Sequence, residues 1–140
     1  MKVVDAVGFV HTKLVFGRRA QILANALTPL LPSGRILDVG CGDGTLDELF
    51  LTHRSDIEIE GVDVMVRPKL RIPVKEFDGR TLPYPDRSFD GVLLIDVLHH
   101  IDDCELILKE CARVGRKVII KDHIGNNAWQ RWLLCLEDIA

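Results

Sequence analysis

The segment Ile36-Leu37-Asp38-Val39-Gly40-Cys41-Gly42-Asp43-Gly44 constrains this chain more than any other. A short apolar run ends in three alternating glycines, and a helical pattern opens directly after them. Glycine lets the backbone turn sharply and lets a ligand approach the main chain closely. The unpaired N–H groups at the start of the following helix favour an anionic group. A strand, a glycine turn and a helix in this order belong to alternating α/β architectures.

The rest of the chain carries the same alternation. One helix is expected over 15–31, with Phe16, Ala20, Leu23, Leu27 and Leu30 or Leu31 as its apolar stripe. Pro32-Ser33-Gly34 ends it. Strands are expected at 35–39, 57–63, 74–77, 89–96 and 117–121. Val92-Leu93-Leu94-Ile95 is apolar on both faces, as a central parallel strand requires. Thr45 and Glu48 have capping-box spacing, and Leu46, Leu49 and Phe50 form the buried face behind them. Asp102 reads as the N-cap of a helix carrying Cys104, Ile107, Leu108, Cys111 and Val114, which Gly115 stops. A last helix is expected in the tail, with Trp129, Trp132, Leu133, Leu136 and Ile139 in phase. The sum is an α/β three-layer sandwich with parallel strands and right-handed crossovers.

Composition narrows the functional classes. With 140 residues the chain fits one domain. No stretch approaches roughly 20 apolar residues without a charge, so no membrane span is expected. Asp5 comes too early for a secretory signal. A net charge of −3 argues against a broad nucleic-acid surface. The charges fall in blocks: 38–63 holds eight acids against Arg54, whereas 66–80 holds five bases against Glu76 and Asp78. Cys41, Cys104, Cys111 and Cys135 form no Cys-x-x-Cys pair, which suits free thiols in a reducing cytoplasm.

The acids around the glycine turn, Asp38, Asp43 and Asp63, make a poor environment for a pyrophosphate and suit a ligand with cationic groups. A dinucleotide fingerprint also needs a third small residue where Thr45 stands, although Asp63 lies at the expected distance of roughly 20 residues. An NAD(P)-dependent oxidoreductase therefore stays as an alternative. A phosphate-binding P-loop is excluded, because no Gly-Lys-Ser/Thr follows.

At these residues the chain resembles the class I S-adenosylmethionine-dependent methyltransferases, in their small-molecule (type 11-like) branch. Leu37 to Gly44 resembles the family's first motif, and Gly61-Val62-Asp63-Val64 its second. Phe77-Asp78-Gly79 stands where the family places an acid on the adenine amino group. Leu82-Pro83-Tyr84-Pro85-Asp86-Arg87-Ser88-Phe89-Asp90 resembles the entry to the fourth strand, and Leu98-His99-His100-Ile101 the segment after it. The resemblance covers roughly residues 34–123 and implies a Rossmann-like fold. It implies a cofactor site of Asp38, Gly40, Cys41, Gly42, Gly44, Asp63, Val64, Met65, Asp78, Gly79 and Ile95. Asp38 is expected on the ammonium, Asp63 on the ribose diol, and Val64 or Met65 over the adenine.

Two departures accompany the resemblance. Pro68 and Pro73 interrupt the short stretch between Asp63 and Asp78, so a loop carrying Arg67, Lys69 and Arg71 replaces the usual helix. The chain is expected to hold five strands and to lack the last two of the usual seven. It thus reads as a fragment, with a segment 1–33, a core 34–123 and a helix start in 124–140. The fifth strand would be an exposed edge for an oligomer or partner to cover.

Methyl transfer is an in-line displacement that needs a base only when the acceptor carries a proton. His99, His100 and His123 follow strand ends and are the candidates, with Asp96 and Asp122 as companions. Phe9, His11, Phe16, Arg18 and Arg19 are candidates for a lid over the acceptor. The reading is methyl transfer to a small molecule, with a non-catalytic cofactor- or partner-binding domain as the other alternative. RNA methylation ranks below these because the chain is acidic.

Overall fold

A computed structural model of the chain describes residues 16–122 and 134–136. Helix α1, over 16–27, runs into a 3-10 turn at Thr28–Leu30. There follow β1 (Gly34–Val39), α2 (Thr45–His53), β2 (Ile57–Asp63), β3 (Val74–Glu76) and β4 (Gly91–Ile95). A second 3-10 turn (Leu98–His100), α3 (Cys104–Val114), β5 (Val118–Lys121) and β6 (Leu134–Leu136) complete the order.

The sheet order is β3-β2-β1-β4-β5-β6. The first five strands are parallel, as the alternating pattern requires. The sixth corrects the expectation for the tail. Residues 134–136 are a strand antiparallel to β5, with Val118 opposite Leu136, and not part of a helix. An edge strand presents unpaired N–H and C=O groups, and this apolar triplet supplies their partners. The edge of β5 is therefore covered by the chain itself and needs no second molecule. Trp129, Trp132, Leu133 and Ile139 lie outside the described residues.

Period-two alternation sends each strand's side chains to two layers. Ile36, Ile59, Leu93 and Ile119 pack with Ala24, Leu27 and Leu31 of the α1 segment and Phe50 of α2. Leu37, Val39, Val92 and Leu94 pack with Ile107, Cys111 and Val114 of α3. Burying one such side chain contributes about 1.5–3 kcal/mol. The stripe of α1 fades toward its start, where Phe16 is exposed. Its other end is fixed by Arg54, whose Nη1 donates to the carbonyls of Thr28 and Leu31, each at 3.0 Å.

Two caps differ from expectation. The Thr45–Glu48 box does not form. The Asp43 carboxylate accepts from the Thr45 N–H at 3.0 Å, and Glu48 turns outward to Arg71. The N-cap of α3 is Asp103, which accepts from the Leu106 N–H at 3.0 Å, and not Asp102. Between β2 and β3 no helix forms, as the prolines predict.

This order places β1 between β2 and β4, where successive crossovers leave in opposite directions. Loops at the C-terminal strand ends diverge there and open a crevice.

Candidate functional site

The glycine turn stands at that crevice. Gly40 donates its N–H to the Val62 carbonyl at 2.8 Å, which folds the turn back over β2. Its φ is +76°, and a Cβ there would stand 2.6 Å from Val97. Gly42, at φ +61°, faces open space. One glycine thus permits close packing and the other leaves room for a ligand.

Asp63, the last residue of β2, ties the turn down. One carboxylate oxygen accepts from the Gly42 N–H at 2.9 Å and the other from the Met65 N–H at 3.2 Å. A carboxylate has about four lone-pair positions, so acceptor capacity for a diol remains.

A cavity of about 600 Å³ opens beside this clip. Gly40, Gly42, Asp63, Val64, Phe77 and Gly79 line one part of it; Asp96, Val97, His100, Ile101 and Leu106 line another. Ligand pockets commonly measure about 300–1,000 Å³ and combine apolar walls with a few polar groups. The residues present fit S-adenosylmethionine. A glycine face open to a ligand, a carboxylate with spare acceptors and apolar walls at Val64 and Phe77 suit in chemical kind an amino-acid end, a ribose and an adenine.

Not every expected residue lines the cavity. Cys41, Gly44, Met65, Asp78, Ile95 and His99 lie off its wall, and so does Asp38. The alternation of β1 sends Asp38 toward α2, where it is buried against the fully buried Asp47. Burial, and then the neighbouring Asp47, raise the Asp38 pKa well above the ordinary carboxylate range. Burial raises that of Asp47 as well. Asp78 is held below its usual range by the N–H groups of Thr81 and Arg80, at 2.7 and 2.8 Å, both on Oδ1. Burial and Asp38 push up the Cys41 thiol, and burial pushes Cys111 up to about 12. Neither is a ready nucleophile.

The histidines stand where β4 and β5 end. His99 Nδ1 lies 2.6 Å from Asp122 Oδ1, and its backbone N–H donates to Oδ2 at 3.3 Å. The His100 ring packs on that of His99 with centroids 3.9 Å apart. His123, Phe9 and His11 lie outside the described residues. Asp96 leaves β4 at φ +56°, a left-handed conformation uncommon for a residue with a side chain. Its carboxylate meets Lys121 at 2.5 Å and Arg19 at 3.1 Å. Lys121 is itself buried.

Sequence reasoning did not single out Asp47, Lys121 or the cavity-lining Arg80. Only Lys121, a charge closing the apolar run Val118-Ile119-Ile120, left a readable signal.

Residues 37–118 match a family described as a methyltransferase domain. The 27-O-demethylrifamycin SV methyltransferase of Amycolatopsis mediterranei is 29% identical over 103 residues, covering 64% of this chain and 38% of that protein. The phosphatidylethanolamine N-methyltransferase of Cereibacter sphaeroides is 32% identical over 110 residues, covering 67% of this chain and 53% of its own length. A crystal structure from Thermotoga maritima, titled a SAM-dependent methyltransferase and "possible histamine N-methyltransferase", superposes with a TM-score of 0.63 at 26% identity. It covers 81% of this chain and 56% of the other. The chain thus spans about half or less of the curated relatives cited.

Proposed function

Because the chain belongs to the methyltransferase domain family, we propose that it binds S-adenosylmethionine and directs methyl transfer to a small-molecule acceptor. The observation that carries this reading is the Asp63 clip at 2.9 Å from the Gly42 N–H, at the wall of the cavity. When bound, the cofactor supplies a methyl group on a positive sulfonium, an already activated leaving group.

The chain's own residues do the rest. Asp63 accepts from the ribose diol in charge-assisted bonds. Val64 and Phe77 supply apolar surface for the adenine, with Gly79 at its edge, while Asp78 holds the turn beside Gly79 through the Arg80 and Thr81 N–H groups. Gly40 and Gly42 receive the amino-acid end. Asp38 acts from behind the turn, as a neighbour of α2 and not as a direct ligand of the ammonium. His100, on the cavity wall, and His99, packed on its ring behind the wall, are the proposed base candidates. In the His99 tautomer that donates Nδ1–H to Asp122, the lone pair sits on Nε2. The thiol-rich composition suits a reducing cytoplasm.

Calorimetry with S-adenosylmethionine and S-adenosylhomocysteine, with NADH as control, tests the reading. Micromolar binding is expected, weakened about 10–100-fold in Asp63→Ala. A folded chain that binds neither ligand, or that prefers NADH, overturns it. With an acceptor in hand, Asp122→Asn is expected to slow turnover about 10²–10⁴-fold without loosening the cofactor.

A further inference from the structure

We propose that the loop 64–71 is a docking surface for an anionic lipid bilayer. Every residue from Val64 to Arg71 is exposed, and none belongs to a helix or strand. Three large apolar side chains beyond the cavity wall stand in water: Met65 at 67% exposure, Val66 at 37% and Leu70 at 40%. Arg67, Lys69 and Arg71 alternate with them, and no acid occurs between Asp63 and Glu76.

The loop is held at both ends and bare between them. Asp63 begins it with the bond to the Met65 N–H. At the other end the Arg71 N–H donates to the Asp43 carbonyl at 2.9 Å, its side chain pairs with Glu48 at 2.6 Å, and Ile72 is buried. Arg67 and Lys69, at the apex, make no close ion pair among the described residues, although, against the effect of burial, the Arg67 charge reaches Asp43 and helps to lower its pKa. A firmly anchored apex that exposes aliphatic groups and cations free of close ion pairs among the described residues matches the chemistry of a membrane interface. Apolar groups there enter the acyl boundary while Lys and Arg meet anionic headgroups.

A nucleic acid fits this surface less well. Single strands are bound by aromatic platforms, and this loop has no aromatic residue. Val64 and Arg67 also line the cavity, so the same surface turns the cavity mouth toward the bilayer. The inference goes beyond the cofactor reading and does not depend on it.

Flotation of the full chain with vesicles tests the proposal, using phosphatidylcholine alone and phosphatidylcholine with phosphatidylserine. Binding is expected only to the anionic vesicles and is expected to weaken as salt shortens the screening length. Each basic residue near such a surface contributes about fivefold in partition, so Lys69→Glu is expected to lower binding by about tenfold or more. Val66→Ser with Leu70→Ser tests the apolar share and is expected to lower it too. Thermal melts and the cofactor titration, run on the same variants, separate a lost surface from a lost fold or cofactor site. Three outcomes overturn the proposal: a folded chain that ignores anionic vesicles, equal binding to both vesicle types, or a Lys69→Glu variant that binds like the parent. Salt-sensitive binding to an RNA oligonucleotide without vesicle binding also overturns it and reassigns the loop.

Discussion

Two acids at neighbouring strand ends meet burial in opposite ways. Asp38, in β1, is packed against Asp47, and neither has a cation among the hydrogen bonds and ion pairs described. As carboxylates they leave Asp38 Oδ1 and both Asp47 oxygens without a donor. Burial raises the pKa of each, so each keeps its proton to a higher pH than an exposed carboxylate does. Asp96, just past β4, instead meets two cations, Lys121 and Arg19. At one strand end the buried acid meets a second acid, and at the other Asp96 meets two cations. The first costs stability once the pH removes the proton. The second holds a carboxylate in one orientation on the cavity wall.

The comparison breaks most sharply at Lys121. Removing one partner of a buried ion pair leaves an uncompensated charge, so Lys121→Met is expected to lose about 3 kcal/mol in urea unfolding. A loss below about 1 kcal/mol means that Arg19 and water suffice for Asp96. At the other strand end the sign reverses. Asp47→Asn is expected to stabilise the fold by about 1–3 kcal/mol at pH 8. The Asp47 pKa rises from 3.8 to about 6 in the folded chain, so the folded state holds the proton longer than the unfolded one. The stability tied to this proton is complete below about pH 4, falls as pH rises to about 6, and stays lost above. The variant is expected to flatten that slope; an unchanged slope shows that Asp47 is not its source. The smallest effect belongs to Arg19→Ala. Its pair with Asp96 is half exposed, so a change within about 1 kcal/mol is expected.

Much of this was legible in the residues. The strand at 57–63 coincides with Ile57–Asp63, because alternation over seven residues leaves little choice of register. The glycine turn was legible for the same reason that it works, since only glycines accept its geometry. The Asp38–Asp47 pair was not. Asp47 sits in the first turn of α2, where an acid ordinarily complements the helix dipole in water, and only packing against β1 reveals its burial. Lys121 raised a signal but no partner, because the carboxylate it meets belongs to the adjacent strand. Leu134-Cys135-Leu136 fits a helical stripe and a strand equally, and the unpaired edge of β5 decides between them. At Asp102-Asp103, two adjacent acids satisfy the same capping rule and backbone geometry selects the second.

The central place of β1 has a kinetic consequence. Its neighbour on one side is β2, close in sequence, but on the other it is β4, with Ile36 opposite Gly91. The glycine turn therefore leaves the ribosome before the strand that forms its second wall. Val97, which packs on Gly40, arrives only with that strand. Pairing across such a separation is slow, because loop closure comes before any contact rewards it. Assembly of the crevice therefore waits on β4. Until then, the central strand of the sheet has a bare edge.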